Sequence, residues 1–189
     1  EVGLVDAVDL AALPSGRGYW ALDAAGGVFP FGNASFHGSL PALRQQGAKT
    51  GQPVAIAATP NGDGYAVLDR DGGVFAFGDA RYQGSVPGLR AAGHAVGDAA
   101  AVDIAFTRSG RGYWVLDRAG GVFPFGDAGF HGSVPGTGYQ GASARRIVAS
   151  PRGRGYLILC DDGAVLRFGD APFLGHGPRV SVAGLAVAR

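Results

Sequence analysis

The chain has 189 residues, a net charge of +1 and a hydrophobic fraction of 47%. That length suits one domain, the near-neutral charge speaks against a nucleic-acid surface, and no apolar run approaches the ~18 residues that a membrane-spanning helix needs. With 35 glycines and 11 prolines, long helices would be interrupted repeatedly, and no stretch keeps a 3.6-residue period over ten residues.

In chain order, an apolar run from Val5 to Leu13 leads into GRGYWALDAAGGVFPFGNASFHGS, starting at Gly16. The pattern returns as GDGYAVLDRDGGVFAFGDARYQGS from Gly62, GRGYWVLDRAGGVFPFGDAGFHGS from Gly110 and GRGYLILCDDGAVLRFGDAPFLGH from Gly153. The marker tyrosines Tyr19, Tyr65, Tyr113 and Tyr156 lie 46, 48 and 43 residues apart. Such a period belongs to arrays whose units each supply a few short strands and bury their faces only against their neighbours.

Turn chemistry divides each copy. An apolar run such as Val54 to Thr59 ends at Pro60-Asn61-Gly62, and a strand such as Tyr113 to Asp117 ends at Arg118-Ala119-Gly120-Gly121. A glycine pair between two β-rich runs signals a hairpin, because its turn needs positive φ. Val122 to Phe125 is predicted as the third strand and Phe130 to Ser133 as the fourth. The runs are apolar on successive residues, so both faces of each strand should be covered. The expected fold is all-β, a β-propeller of four blades with about four short antiparallel strands each. One domain spans 1–189, with repeats at about 5–53, 54–101, 102–145 and 146–179. A fifth run of first-strand type, Val180 to Arg189, is expected to close the ring, the alternative being that Val182 to Arg189 begins a fifth blade. Leu40 to Gln46 and Val86 to Ala92 have room for one helical turn each.

The GYW, GGVF and FG signatures, at Gly18-Tyr19-Trp20, Gly26-Gly27-Val28-Phe29 and Phe31-Gly32 and their counterparts, resemble the tandem repeats of many secreted and surface proteins of actinobacteria. The resemblance covers nearly the whole chain and implies an accessory, propeller-like region, extracellular or at the cell surface, often beside cell-wall-acting hydrolases. The fourth copy departs from the pattern at Ala164, Leu166 and His176.

The sequence offers no convergent catalytic set, and no enzyme activity or cofactor is expected. HExxH, CxxC and GxSxG are absent. The GxGxxG at Gly136 to Gly141 opens no helix that could hold a pyrophosphate, and the Asn33-Ala34-Ser35 sequon sits in a repeated turn. Asp69-Arg70-Asp71-Gly72 lacks the further oxygens of a calcium loop and reads as a hairpin turn. Asn33, Asp79, Asp127 and Asp170 recur after Phe-Gly, where a short polar side chain secures a turn. Cys160 stands alone, as an inert thiol in place of Asp23, Asp69 and Asp117. Arg145-Arg146 and Arg152 with Arg154 are expected in solvated loops.

Copies one and three share 20 of 24 positions, copies one and two only 14. Trp20 and His37 recur as Trp114 and His131 but become Ala66 and Gln83 in copy two. These paired residues have two readings: core tryptophans with rim histidines, or twin binding sites in which indole stacks on a ligand and imidazole donates to it. Loops on a rigid propeller commonly carry recognition, which adds Arg44, Gln45, Arg90, His94, Tyr139 and Gln140 as candidate ligand-binding residues. The expected function is recognition of a cell-wall polysaccharide or surface protein, with no membrane insertion. The rival reading is a structural spacer or assembly domain that contacts neighbouring domains of a larger protein; a hydrolase is the third.

Overall fold

A computed structural model describes residues 6–172 and residue 175. Twelve strands form four antiparallel three-stranded sheets, each ordered as its strands occur in sequence. The first holds β1 (Ala7–Ala12), β2 (Gly18–Asp23) and β3 (Val28–Gly32); the second β4 (Pro53–Ala58), β5 (Gly64–Asp69) and β6 (Val74–Gly78). The third holds β7 (Ala101–Phe106), β8 (Gly112–Asp117) and β9 (Val122–Gly126); the fourth β10 (Ala144–Ala149), β11 (Gly155–Cys160) and β12 (Val165–Gly169). Helices α1 (Leu40–Gln45) and α2 (Val86–Ala91) lie in the first two links, and a 3-10 turn at Pro135–Thr137 lies in the third. The chain is a β-propeller of four blades.

Among the described residues, each blade has three strands, not four. The stretch expected as a fourth strand, Phe130 to Ser133 and its equivalents in the first two copies, leaves its own sheet and crosses to the next blade. There the next blade's tyrosine holds it. The Tyr65 hydroxyl donates to the Gly38 carbonyl at 2.6 Å and accepts from the His37 amide at 3.2 Å. Tyr113 does the same with Gly84 and Gln83, and Tyr156 with Gly132 and His131. The three glycines take φ of +138°, +140° and +125°. A Cβ there would lie 2.6, 2.5 or 2.8 Å from Phe77, Phe125 or Phe168. Only glycine combines that backbone with that contact, which explains why Gly-Ser closes three copies of the repeat.

Buried middle strands and the faces between blades make the core. Ile56, Tyr65, Val67 and Phe77 of blade two pack on Ala11, Trp20, Leu22, Val28 and Leu40 of blade one. Equivalent cores join blades two and three, and three and four. Each link then docks on the hairpin of its own blade: Leu40, Val86 and Val134 donate their amides to Gly26, Gly72 and Gly120. Thus α1, α2 and the 3-10 turn gather at one end of the strands. Asp23, Asp69 and Asp117 accept the amides of Gly27, Gly73 and Gly121 across the hairpins at 2.7 Å. Cys160 has no such role; it is buried, and burial pushes its thiol up to about 11.

At the other strand end, Thr59 and Thr107 donate their hydroxyls to Asp79 and Asp127 at 2.9 and 2.8 Å, and Ser150 to Asp170 at 2.5 Å. The recurrent aspartates thus tie the first strand of a blade to its third through a side-chain hydroxyl. The Ser109 hydroxyl bond, with Thr107 and Arg111 adding to it, holds the Asp127 carboxyl below the usual range. The sequence run 180–189, expected to close the ring, lies outside the described residues.

Candidate functional site

The first strands face the propeller axis. β1 packs beside β4, β4 beside β7 and β7 beside β10, with no comparable packing between β10 and β1. Every first strand carries a register shift after its first residue. Such a bulge re-aims the side chain that follows, and the residues in that place are Asp9, Ala55, Asp103 and Arg146. Arg146 reaches Asp9 at 2.7 Å and Asp103 at 3.3 Å, joining blades one, three and four. Asp9 also accepts the Ile56 amide and Asp103 the Ile147 amide. Burial raises Asp103 to about 7 against the opposing pull of Arg146, and the two carboxylates drive the guanidinium upward despite its own desolvation. The expectation of a solvated loop for Arg146 is therefore corrected: it is half-buried on β10 and ion-paired. Arg145 is exposed and pairs with Asp161 at 2.5 Å. Arg152 and Arg154 are exposed.

Trp20 and Trp114 are fully buried, and their indole N–H groups donate to the carbonyls of Ser35 and Gly129 at 2.8 and 2.7 Å. Trp20 packs on Tyr65, and Trp114 on Tyr156, with ring centroids 5.0 and 5.4 Å apart. A side chain with no exposed surface offers no face to a ligand, so the core reading fits this pair and the stacking reading does not. His37 and His131 are half-buried beside Tyr65 and Tyr156, both at 5.8 Å.

The candidate loop residues lie on the helix-bearing end, three of the six with side chains in structural contacts. Arg44 donates to the Thr50 hydroxyl and to the Ala25 carbonyl, fastening α1 to the hairpin of blade one. Arg90 donates to the Gly97 carbonyl and stands 3.7 Å from Asp98. The Tyr139 hydroxyl donates to Asp162. Gln45, His94 and Gln140 are exposed. These residues share an end of the propeller but converge on no common point.

Sequence reasoning missed a rim set. Phe36, Tyr82 and Phe130 occupy one repeat position and are 56%, 59% and 59% exposed. Since the adjacent His37, Gln83 or His131 amide is held by a tyrosine of the next blade, the aromatic one residue earlier turns outward. Its alternation with the half-buried histidine was the available signal. At blade two, Tyr82 and Phe75 line a groove of about 520 Å³ with Lys49, Thr50, Asp71 and Pro87. A second hollow, of about 440 Å³, opens at the opposite strand end between Pro60, Phe106, Arg108 and Pro151. Among the described residues, no group of three His, Cys, Asp or Glu is placed to hold a metal ion, and no helix is long and apolar enough to cross a membrane.

This geometry defines a propeller with an ion-paired axis and aromatic groups on its rim. No family model and no curated protein matches the chain. Among solved structures it is similar to the β-propeller domain of Cps50 (Swd1) from Myceliophteria thermophila, with a TM-score of 0.54 and 13% identity. The match covers 86% of this chain and 52% of that one, so the chain spans about half the length of its neighbour. At that identity the similarity supports the propeller fold alone.

Proposed function

We propose that this propeller is a non-catalytic recognition module of the bacterial cell surface, binding a cell-envelope glycan through its rim. The observation that carries the reading is the set Phe36, Tyr82 and Phe130, exposed at one position in three successive blades. Folding does not require an aromatic ring left in water, and aromatic side chains are the residues that most often anchor binding interfaces. A ligand built of repeating units suits a receptor with repeating platforms, because each contact raises the effective concentration at the next. The Tyr82 groove adds the ammonium of Lys49 and the carboxylate of Asp71, giving donors and acceptors beside an aromatic face. The resemblance to secreted actinobacterial repeats supports the same compartment and ligand class.

The test is retention of the isolated chain on purified cell-wall polysaccharide. Phe36→Ala, Tyr82→Ala and Phe130→Ala should each weaken binding by about 10-fold, as loss of a well-placed aromatic anchor does, with little change in melting. Undiminished retention of the triple variant would sink the rim reading. The assembly-domain reading has its own support in the uncovered face of blade one.

A further inference from the structure

Among the described residues, blade one shows an uncovered face where the other blades show a buried one. Leu10 on β1 is 53% exposed, whereas Ile56, Ile104 and Ile147 in its place are 4%, 3% and 3% exposed. Tyr19 is 38% exposed, whereas Tyr65, Tyr113 and Tyr156 are at 0%, 1% and 0%. Each buried set is covered by the preceding blade, whose apolar strand face and crossing glycine segment it receives. Tyr19 instead stacks on its own neighbour Phe31 at 4.9 Å. The side chain of Arg146 reaches Asp9 across the junction of blades four and one, where β10 and β1 lack the packing of the other first strands.

We propose that this face of blade one is an interaction surface for a further blade of the same repeat, supplied by polypeptide outside residues 1–189. The three internal junctions specify the partner. It presents small or aromatic side chains from a middle strand, as Trp20, Ala66 and Trp114 do, and an aromatic-His/Gln-Gly segment whose glycine carbonyl accepts the Tyr19 hydroxyl. The chain's own Gly175, the described residue of its fourth copy of that segment, does not make this contact. A Cβ on Gly175, whose φ is +115°, would meet no atom within 4 Å, whereas one on Gly38, Gly84 or Gly132 would meet Phe77, Phe125 or Phe168 of the next blade. The inference rests on the fold and on the repeat, not on the glycan reading, and either can fail alone.

The experiment compares the 189-residue chain with a version in which residues 101–143 are fused directly ahead of Ala7. This reproduces the natural join at Ala144, whose place in the repeat Ala7 holds. Tyrosine nitration, mapped by mass spectrometry, should modify Tyr19 in the original chain and spare it in the fusion. Tyr19→Phe should leave the melting temperature of the original chain unchanged and lower that of the fusion by about 2–4 °C, the loss of one buried hydroxyl bond. Protection of Tyr19 in the dilute original chain would assign the face to the chain's own terminal segment. Protection that grows with concentration, alongside dimers in sedimentation, would assign it to a second copy. Undiminished nitration in the fusion would show that the face takes no blade. Each of these three results overturns the proposal.

Discussion

Truncating Trp114 to alanine separates the two roles that the repeated tryptophans could play. The side chain is fully buried, packs on Tyr156 of the next blade and donates its indole N–H to the Gly129 carbonyl at 2.7 Å. Removing it empties the largest single volume of the core between blades three and four and leaves that carbonyl without its donor. Buried tryptophan-to-alanine changes cost about 3–5 kcal/mol. In a domain of this size each kcal/mol moves the melting temperature by about 2–4 °C, so Trp114→Ala should melt about 6–20 °C below the parent. Phe130→Ala, in the same repeat but more than half exposed, should stay within about 0.5 kcal/mol. Thermal and urea unfolding followed by far-UV circular dichroism measure both variants. If Trp114→Ala melted with the parent while Phe130→Ala collapsed, the assignment of inward and outward positions along the repeat would be wrong.

Two further outcomes follow from named contacts. Gly84→Ala places a Cβ 2.5 Å from Phe125 at a φ of +140°, so overpacking and backbone strain together should cost about 1–3 kcal/mol; an unchanged urea midpoint would refute the glycine latch. For Asp103, burial raises the folded carboxyl to about 7, above an unfolded value of about 3.9. Folded Asp103 thus binds its proton more tightly than the unfolded chain does, and its contribution is fully present below about pH 4 and is lost as the pH rises through about 7. Asp103→Asn should flatten the fall in melting temperature across that window, and a slope identical to the parent's would show that Arg146 keeps the carboxylate charged throughout.

The fold was legible because each repeat states its turns. Glycine pairs mark the hairpins, and Phe-Gly followed by Asp marks a first-to-third strand tie that the hydroxyls of Thr59, Thr107 and Ser150 complete. The missing fourth strand was not legible, since Phe130 to Ser133 has strand-like composition and only the tyrosine of the next blade decides where it goes. Local propensity cannot report a partner that lies 24 or more residues away. The tryptophans left two readings open for a related reason. Their absence from copies two and four looked like functional variation, yet Ala66 and Leu157 fill the same buried position with smaller side chains, and a core tolerates different packing at each junction.

The axial ion pairs show how charge in an apolar strand can be read. Asp9 and Asp103 interrupt otherwise apolar first strands, and Arg146 stands in the same register where blade two has Ala55. Two carboxylates and one guanidinium at equivalent positions of an array meet only if the strands surround a common axis, so the three together argue for radial arrangement over a linear stack. A buried pair of this kind contributes little net stability, because desolvation offsets attraction. Its consequence is specificity: an arginine in the fourth copy finds two carboxylates only when the first and third are already in place. Order among the first, third and fourth copies is thereby tied to contacts at the axis, while the rim, free of that demand, keeps Phe36, Tyr82 and Phe130 exposed.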